Sequence, residues 1–245
     1  MLAAYREIGD PRYLAASEGA KNFLLQELPV LEETPDVKCI GYVSRGLKWK
    51  VININAVVAG FLAKLAKEKN DNLLMADAKK LIEWVLRSRT PKNTWNYTTP
   101  KNQSGIGPDN YHTGGILDGI YDYMSNSGDE SAKEIYFLAL QAYQENFFGS
   151  DGAPFWRIGK RFPQDVHGAA QGILTFARAG NLDPRYLVQS SKIADWAHRE
   201  LQDRDGYFYY QKRRFFTWKI DLMRWNNSWM FWALADYQSK IGDGA

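Results

Sequence analysis

A phrase recurs five times along this chain: an apolar helical run, a short break, an Asp, and a second helical run. The aspartates are Asp10, Asp71, Asp129, Asp183 and Asp243, at intervals of 61, 58, 54 and 60 residues. Two copies continue almost identically, as Asp10-Pro11-Arg12-Tyr13-Leu14 and Asp183-Pro184-Arg185-Tyr186-Leu187. Each Asp can cap a helix by accepting from unpaired backbone N–H groups, and Pro suits the first helical position. The Gly or Asn just before it suits the left-handed residue that often ends a helix. Five aligned breaks at one period read as an array of helical hairpins rather than an unrelated bundle.

Each period holds two kinds of helix. One follows the Asp, as in Leu74 to Leu86 and Ser131 to Phe147, and alternates apolar and charged residues, so it keeps a wet face. The other precedes the Asp and is more apolar or small: Ala56 to Leu65, Gly114 to Met124, Gly168 to Ala177 and Ser228 to Tyr237. These suit an inner layer. The expected fold is all-α, an α/α-hairpin toroid with short β-hairpins on one rim, formed by residues 1–245 as a single domain. The array is incomplete, at about four and a half hairpins, because Met1 to Ile8 reads as the end of an inner helix without its beginning. Either the native start lies upstream, or a partner chain such as another copy of this one covers the open end.

Composition narrows the function. The formal charge of +3 over 245 residues is far from the dense basic patch of a nucleic-acid binder, so no nucleic-acid partner is expected. The single Cys39 excludes a disulfide framework and any multi-thiolate metal site. No metal and no cofactor are expected. The longest apolar runs, such as Ile54 to Leu62, are too short to span a bilayer, so no membrane insertion is expected. The first residues show no charged-then-apolar leader, which makes a reducing cytoplasm the expected compartment.

Aromatic residues reach 14% and gather between the helices. Connections of roughly 20 residues run from each outer helix to the next inner one, and connections of that length are usually functional. Each ends in a polar cluster at an inner-helix N-terminus: Asn53-Ile54-Asn55, Asp109-Asn110-Tyr111-His112, Asp165-Val166-His167 and Arg224-Trp225-Asn226-Asn227. In a toroid these N-termini would converge on one face, where their dipoles favour anionic groups. Asp109 and Asp165 also suit helix caps, and His112 and His167 also suit buried histidines bonded to nearby carbonyls. Trp225, Trp229 and Trp232, spaced four then three, are expected to face the core, with only Trp225 reaching a ligand. His198 is expected to be solvated, Cys39 inert, and Lys212-Arg213-Arg214 a basic, solvated turn.

The series Asn53-Ile54-Asn55-Ala56, Asp109-Asn110-Tyr111-His112-Thr113-Gly114, Phe162-Pro163-Gln164-Asp165-Val166-His167-Gly168 and Met223-Arg224-Trp225-Asn226-Asn227-Ser228-Trp229 resembles a poorly characterised group of bacterial and archaeal α/α-toroid proteins associated with surface-polysaccharide biosynthesis. The resemblance spans nearly the whole chain. It implies a fold related to the terpenoid cyclase and protein prenyltransferase toroids and to six-hairpin glycosidases, and it implies no established reaction.

Three classes of function follow as expectations. In the first, the chain acts on an acidic or polyhydroxylated oligo- or polysaccharide. Trp95, Tyr97, Trp156, Tyr207 and Trp225 would stack on sugar rings, Arg224 and Arg157 would pair with a carboxylate, Asn53 and Asn55 would join the substrate-binding set, and Asn227 with Arg224 would neutralise a uronate. Asp109 and Asp165 would be acid and base in a glycoside hydrolase. In a uronate lyase or epimerase, His112, His167 or Tyr111 would abstract the C5 proton instead. In the second class the chain is a non-catalytic glycan-binding or scaffold subunit. A third, an isoprenoid-handling toroid, would need an apolar cavity that the histidines and Arg224 argue against.

Overall fold

Four of the five repeated aspartates do what their spacing predicts. In the computed structural model, which describes residues 1–242, Asp10 accepts from the Arg12 N–H at 2.9 Å and opens α2 (Pro11–Asn22) after the short α1 (Leu2–Ile8). Asp71 accepts from Leu74 at 2.9 Å and separates α3 (Ile52–Lys69) from α4 (Asn72–Arg87). Asp129 accepts from Ser131 at 2.9 Å between α5 (Asn110–Ser127) and α6 (Lys133–Phe147). Asp183 accepts from Arg185 at 3.0 Å between α7 (Val166–Ala179) and α8 (Arg185–Leu201). Asp243, after α9 (Ser228–Gly242), lies outside the described residues.

The residue before the break is left-handed in three cases: Gly9 at φ 74°, Asn70 at φ 53° and Gly128 at φ 70°. Gly180 departs from this expectation. It is right-handed, with φ −57°. Its need for glycine is steric, since a Cβ there would sit 2.5 Å from Leu187 Cδ2.

The long connections carry the short strands. β1 (Val30–Glu33) and β2 (Lys38–Ile40) form one antiparallel pair. β3 (Gln164–Asp165), β4 (Gln211–Lys212) and β5 (Thr217–Trp218) form a three-stranded antiparallel sheet in that order. A single wide turn, Met223–Asn227, leads into α9. The described residues thus comprise nine α-helices and five short strands.

By contacts the chain divides into two compact units. The first is Met1–Gly107 with Ile116–Leu138; the second is Pro108–Gly115 with Ala139 onward, so α5 and α6 contribute to both. In the first unit α3 packs on α4, with Leu62 and Leu65 against a core that includes Leu81, Val85 and Ile40. Burying each such side chain contributes about 1.5–3 kcal/mol. Gly60 and Gly119 let α3 and α5 touch backbone to backbone; a Cβ on Gly60 would lie 3.0 Å from the Gly119 carbonyl oxygen. In the second unit α7 packs on both α8 and α9. Every side chain of α7 but that of Arg178 is buried. The amphipathic α8 keeps the wet face its pattern predicts, and His198 on it is exposed, bonded to Gln202. Tyr143 and Phe176 stack at 5.6 Å between centroids, with Phe148 edge-on to both.

Candidate functional site

The second unit gathers three of the four polar clusters. The start of α5 is anchored first: Tyr143 Oη donates to Asn110 Oδ1 at 2.9 Å, and Asn110 Nδ2 donates to the Phe147 carbonyl at 3.2 Å. The Asn110 N–H also donates to the Trp156 carbonyl at 3.2 Å, and Asp109 pairs with Arg157 as an isolated antiparallel bridge. Thus the 153–157 segment runs beside the beginning of α5.

That anchoring fixes a carboxylate–imidazole pair. Asp109, only 4% exposed, accepts the His112 N–H at 3.0 Å through Oδ1, and its Oδ2 lies 2.7 Å from His112 Nδ1. A carboxylate can only accept, so Nδ1 is the donor of this pair. Spacing i to i+3 at a helix start lets one Asp cap the helix and orient the ring together.

The second cluster sits at the start of α7. Asp165, 4% exposed, caps the helix by accepting the His167 N–H at 2.8 Å, and accepts from Gln211 Nε2 at 2.5 Å. The antiparallel pairing of β3 with β4 brings Gln211 opposite Asp165. Burial raises the Asp165 carboxyl above the usual range, against the opposing pull of Gln211, the His167 N–H and Arg213.

His167 is the least ordinary group in the molecule. It is 2% exposed, and its Nε2 has no hydrogen-bond partner among the described residues. Three rings enclose it: Tyr111 at 3.9 Å between centroids, Trp225 at 4.3 Å and Trp229 at 4.6 Å. Burial, and secondarily the charge of His112, push its pKa down to about 3. It is therefore neutral across the physiological range. Tyr111 stands between the two histidines, edge-on to His112 at 5.2 Å. The cluster combines an imidazole oriented by a carboxylate, a second imidazole kept neutral by burial and aromatic walls, groups of the kind that can move a proton.

The third cluster supplies one wall. Trp225 is 44% exposed and Trp229 half-buried, and Trp232 is as exposed as Trp225, so the expected core face of three tryptophans is instead partly open. Trp229, expected only in the core, lies against both His167 and Tyr111. Arg224 is exposed and forms no ion pair among the described residues. Asn227 is engaged structurally: its Oδ1 accepts from the Phe208 N–H at 2.8 Å and its Nδ2 donates to Asp221 at 2.5 Å. Of the remaining candidates in this unit, Trp156, Arg157 and Tyr207 are half-buried, and Arg157 Nε is a buried donor without a partner among the described residues.

The fourth cluster belongs to the other unit and has structural work. Asn55 is fully buried; its side chain bonds the Ile40 N–H and carbonyl and the Val51 carbonyl. Trp95 is buried too, donating to the Val85 carbonyl at 2.8 Å, so it has no face to offer a sugar. Asn53 and Tyr97 are half-buried. Burial pushes the Cys39 thiol up to about 12, in keeping with an inert cysteine. Among the described residues no group of three His, Cys, Asp or Glu side chains is placed to hold a metal ion.

No family model matches this chain, and no curated protein matches its sequence. Solved structures do match. A sugar epimerase from a ruminal bacterium is 12% identical with a TM-score of 0.81, covering 98% of this chain and 68% of its own. Cellobiose 2-epimerase from Bacillus thermoamylovorans is 12% identical with a TM-score of 0.75, covering 96% and 67%. An inactive variant of a GH76 α-1,6-mannanase from Salegentibacter, in complex with α-1,6-mannotriose, is 12% identical with a TM-score of 0.73, covering 96% and 66%. The chain thus spans about two thirds of the length of each. At such identity the likeness is one of fold, and the α/α-toroid class expected from the repeat is the fold of this chain.

Proposed function

We propose that this chain is a carbohydrate-active protein whose site, at the starts of α5 and α7, moves a proton on a sugar, as an epimerase or a lyase does. The observation that carries this reading is the Asp109–His112 pair beside the unpartnered Nε2 of buried His167. His112 would take the proton on Nε2, and Asp109 would stabilise the imidazolium that forms. His167, held neutral, would donate a hydrogen bond to the oxygen where negative charge develops, a role for which a neutral imidazole suits better than a charged one. Trp225, with Arg224 next to it, would hold the ring of an acidic or polyhydroxylated sugar. The resemblance to epimerases and to a mannotriose-bound mannanase supports the carbohydrate class through fold alone.

Paired-carboxylate hydrolysis by Asp109 and Asp165 draws less support. Each carboxylate is buried and already accepts two hydrogen bonds within the protein. A non-catalytic glycan-binding role in polysaccharide metabolism is the second reading, favoured by the half-open tryptophan wall and by the weak basicity of His167.

The test is solvent exchange. Wild type and His112→Gln are incubated with neutral and uronic-acid oligosaccharides in D2O, and the sugars are read by mass spectrometry and NMR. Deuterium at a carbon next to a carbonyl or carboxylate, abolished in H112Q, is the expected result. Sugars that bind without gaining deuterium or changing a bond establish the second reading, and exchange undiminished in H112Q removes His112 as the base.

A further inference from the structure

The β4–β5 hairpin ends in a tip unlike the rest of the surface. Arg213 donates its N–H to the Phe216 carbonyl at 2.7 Å, leaving Arg214 and Phe215 at the turn. Phe215 is 86% exposed and Phe216 59%. Beyond them Trp218, Ile220, Leu222 and Met223 are exposed as well, so six of the nine residues 215–223 present large apolar side chains to solvent. Patches of this kind on a water-facing surface mark interaction sites.

The charge beside this patch is of one sign at the tip. The guanidinium of Arg213 lies 5.1 Å from the Trp218 ring, that of Arg214 5.2 Å from Phe215, and the Lys219 ammonium 4.9 Å from Tyr209. Of the nearby acids, Glu200 pairs with Lys212, Asp221 accepts from Asn227, and Asp203 accepts from Tyr209 Oη while its charge, with that of Asp205, stands on the Lys219 and Tyr209 side of the hairpin rather than at the turn. A cation lying along an aromatic ring, with bare phenyl rings at the apex, is the arrangement that buries rings below lipid headgroups while the cations stay among the phosphates.

We propose that this hairpin docks the protein on an anionic lipid surface. Two other occupants fit less well. A second copy meeting tip to tip would bring like charges together. A glycan needs open ring faces, and cations lie over those of Phe215, Trp218 and Tyr209. No helix among the described residues is long and apolar enough to cross a membrane, so the contact is peripheral. Because β4 pairs with β3, and Gln211 of β4 bonds Asp165 ahead of His167, the docking element and the candidate site share one small sheet. The inference stands independently of which reaction that site performs.

The experiment is sedimentation of the whole chain with vesicles of equal parts phosphatidylglycerol and phosphatidylcholine, against phosphatidylcholine alone. Wild type is expected to sediment with the anionic vesicles only, and less as salt rises. Arg214→Gln and Lys219→Gln should each weaken partitioning about fivefold. The double variant Phe215→Ser, Phe216→Ser should weaken it about tenfold or more with an unchanged circular dichroism spectrum. Phe231→Ser, which alters an exposed ring of α9, should bind as wild type. The proposal is overturned if wild type ignores anionic vesicles, or binds neutral ones equally. It is also overturned if the tip variants bind unchanged, if F231S weakens binding as much as they do, or if polygalacturonate retains the protein while vesicles do not.

Discussion

His167 should make the folded chain sensitive to mild acid in a way that one substitution removes. An unperturbed imidazole titrates near 6.5, and here burial lowers the folded value to about 3. A depressed folded pKa means that the unfolded chain binds the proton first. The contribution to stability is therefore complete above about pH 6.5 and is lost as pH falls toward 3, at about 1.4 kcal/mol per unit. Between pH 7 and pH 5 that amounts to about 2 kcal/mol from one ring. Asp165 acts in the opposite sense. Its folded pKa is raised, so its contribution is present below the ordinary carboxylate range and is lost as pH rises through the folded value. The informative quantity is therefore the difference between wild type and His167→Gln, which keeps the backbone N–H that Asp165 accepts. Urea unfolding at pH 7 and pH 5 measures it: wild type should lose about 2 kcal/mol more than H167Q over that interval. Equal losses in both proteins, or an NMR titration placing the His167 ring above pH 6, would refute a buried neutral imidazole.

Further outcomes follow from the same geometry. Asp109→Asn keeps a good helix cap but loses the carboxylate that sets the His112 tautomer, so stability should change by less than about 1 kcal/mol while any proton-transfer activity falls by roughly three orders of magnitude; thermal melts and turnover with a proven substrate check the two halves separately. Gly119→Ala should destabilise by about 3 kcal/mol, because the new Cβ would be driven into the Ala56 carbonyl and to 2.9 Å from the Val57 nitrogen. Gly115→Ala, on the same helix with nothing within 4 Å of the new Cβ, should be neutral or stabilise by up to about 1 kcal/mol. Urea midpoints of that pair separate packing from helix propensity.

The hairpin array was legible because its markers are local. An Asp that caps a helix needs only the next two or three residues, and Asp10, Asp71, Asp129 and Asp183 all found them. Gly180 broke the pattern because its constraint comes from Leu187 in the next helix, which spacing does not reveal. The same limit applies at the site. The Asp109–His112 pair is readable at three residues' separation, whereas the bond from Gln211 to Asp165 depends on a strand register set 46 residues away. Trp229 was visible as the residue one turn beyond Trp225 on the same helix face, but nothing local said that this face meets a histidine rather than leucines. Trp95 and Asn55 show the converse: aromatic and amide groups next to loops look like ligand contacts until their hydrogen bonds prove to close on buried backbone.

The near-total burial of α7 sets how this molecule can adapt. A rod hemmed in on every side leaves His167 almost no latitude, so under the proposed function a sugar would have to fit the imidazole where it stands. Any tolerance for differently shaped sugars would then fall to the part-exposed indole of Trp225 and to the segment before it, whose side chains still have water as a neighbour.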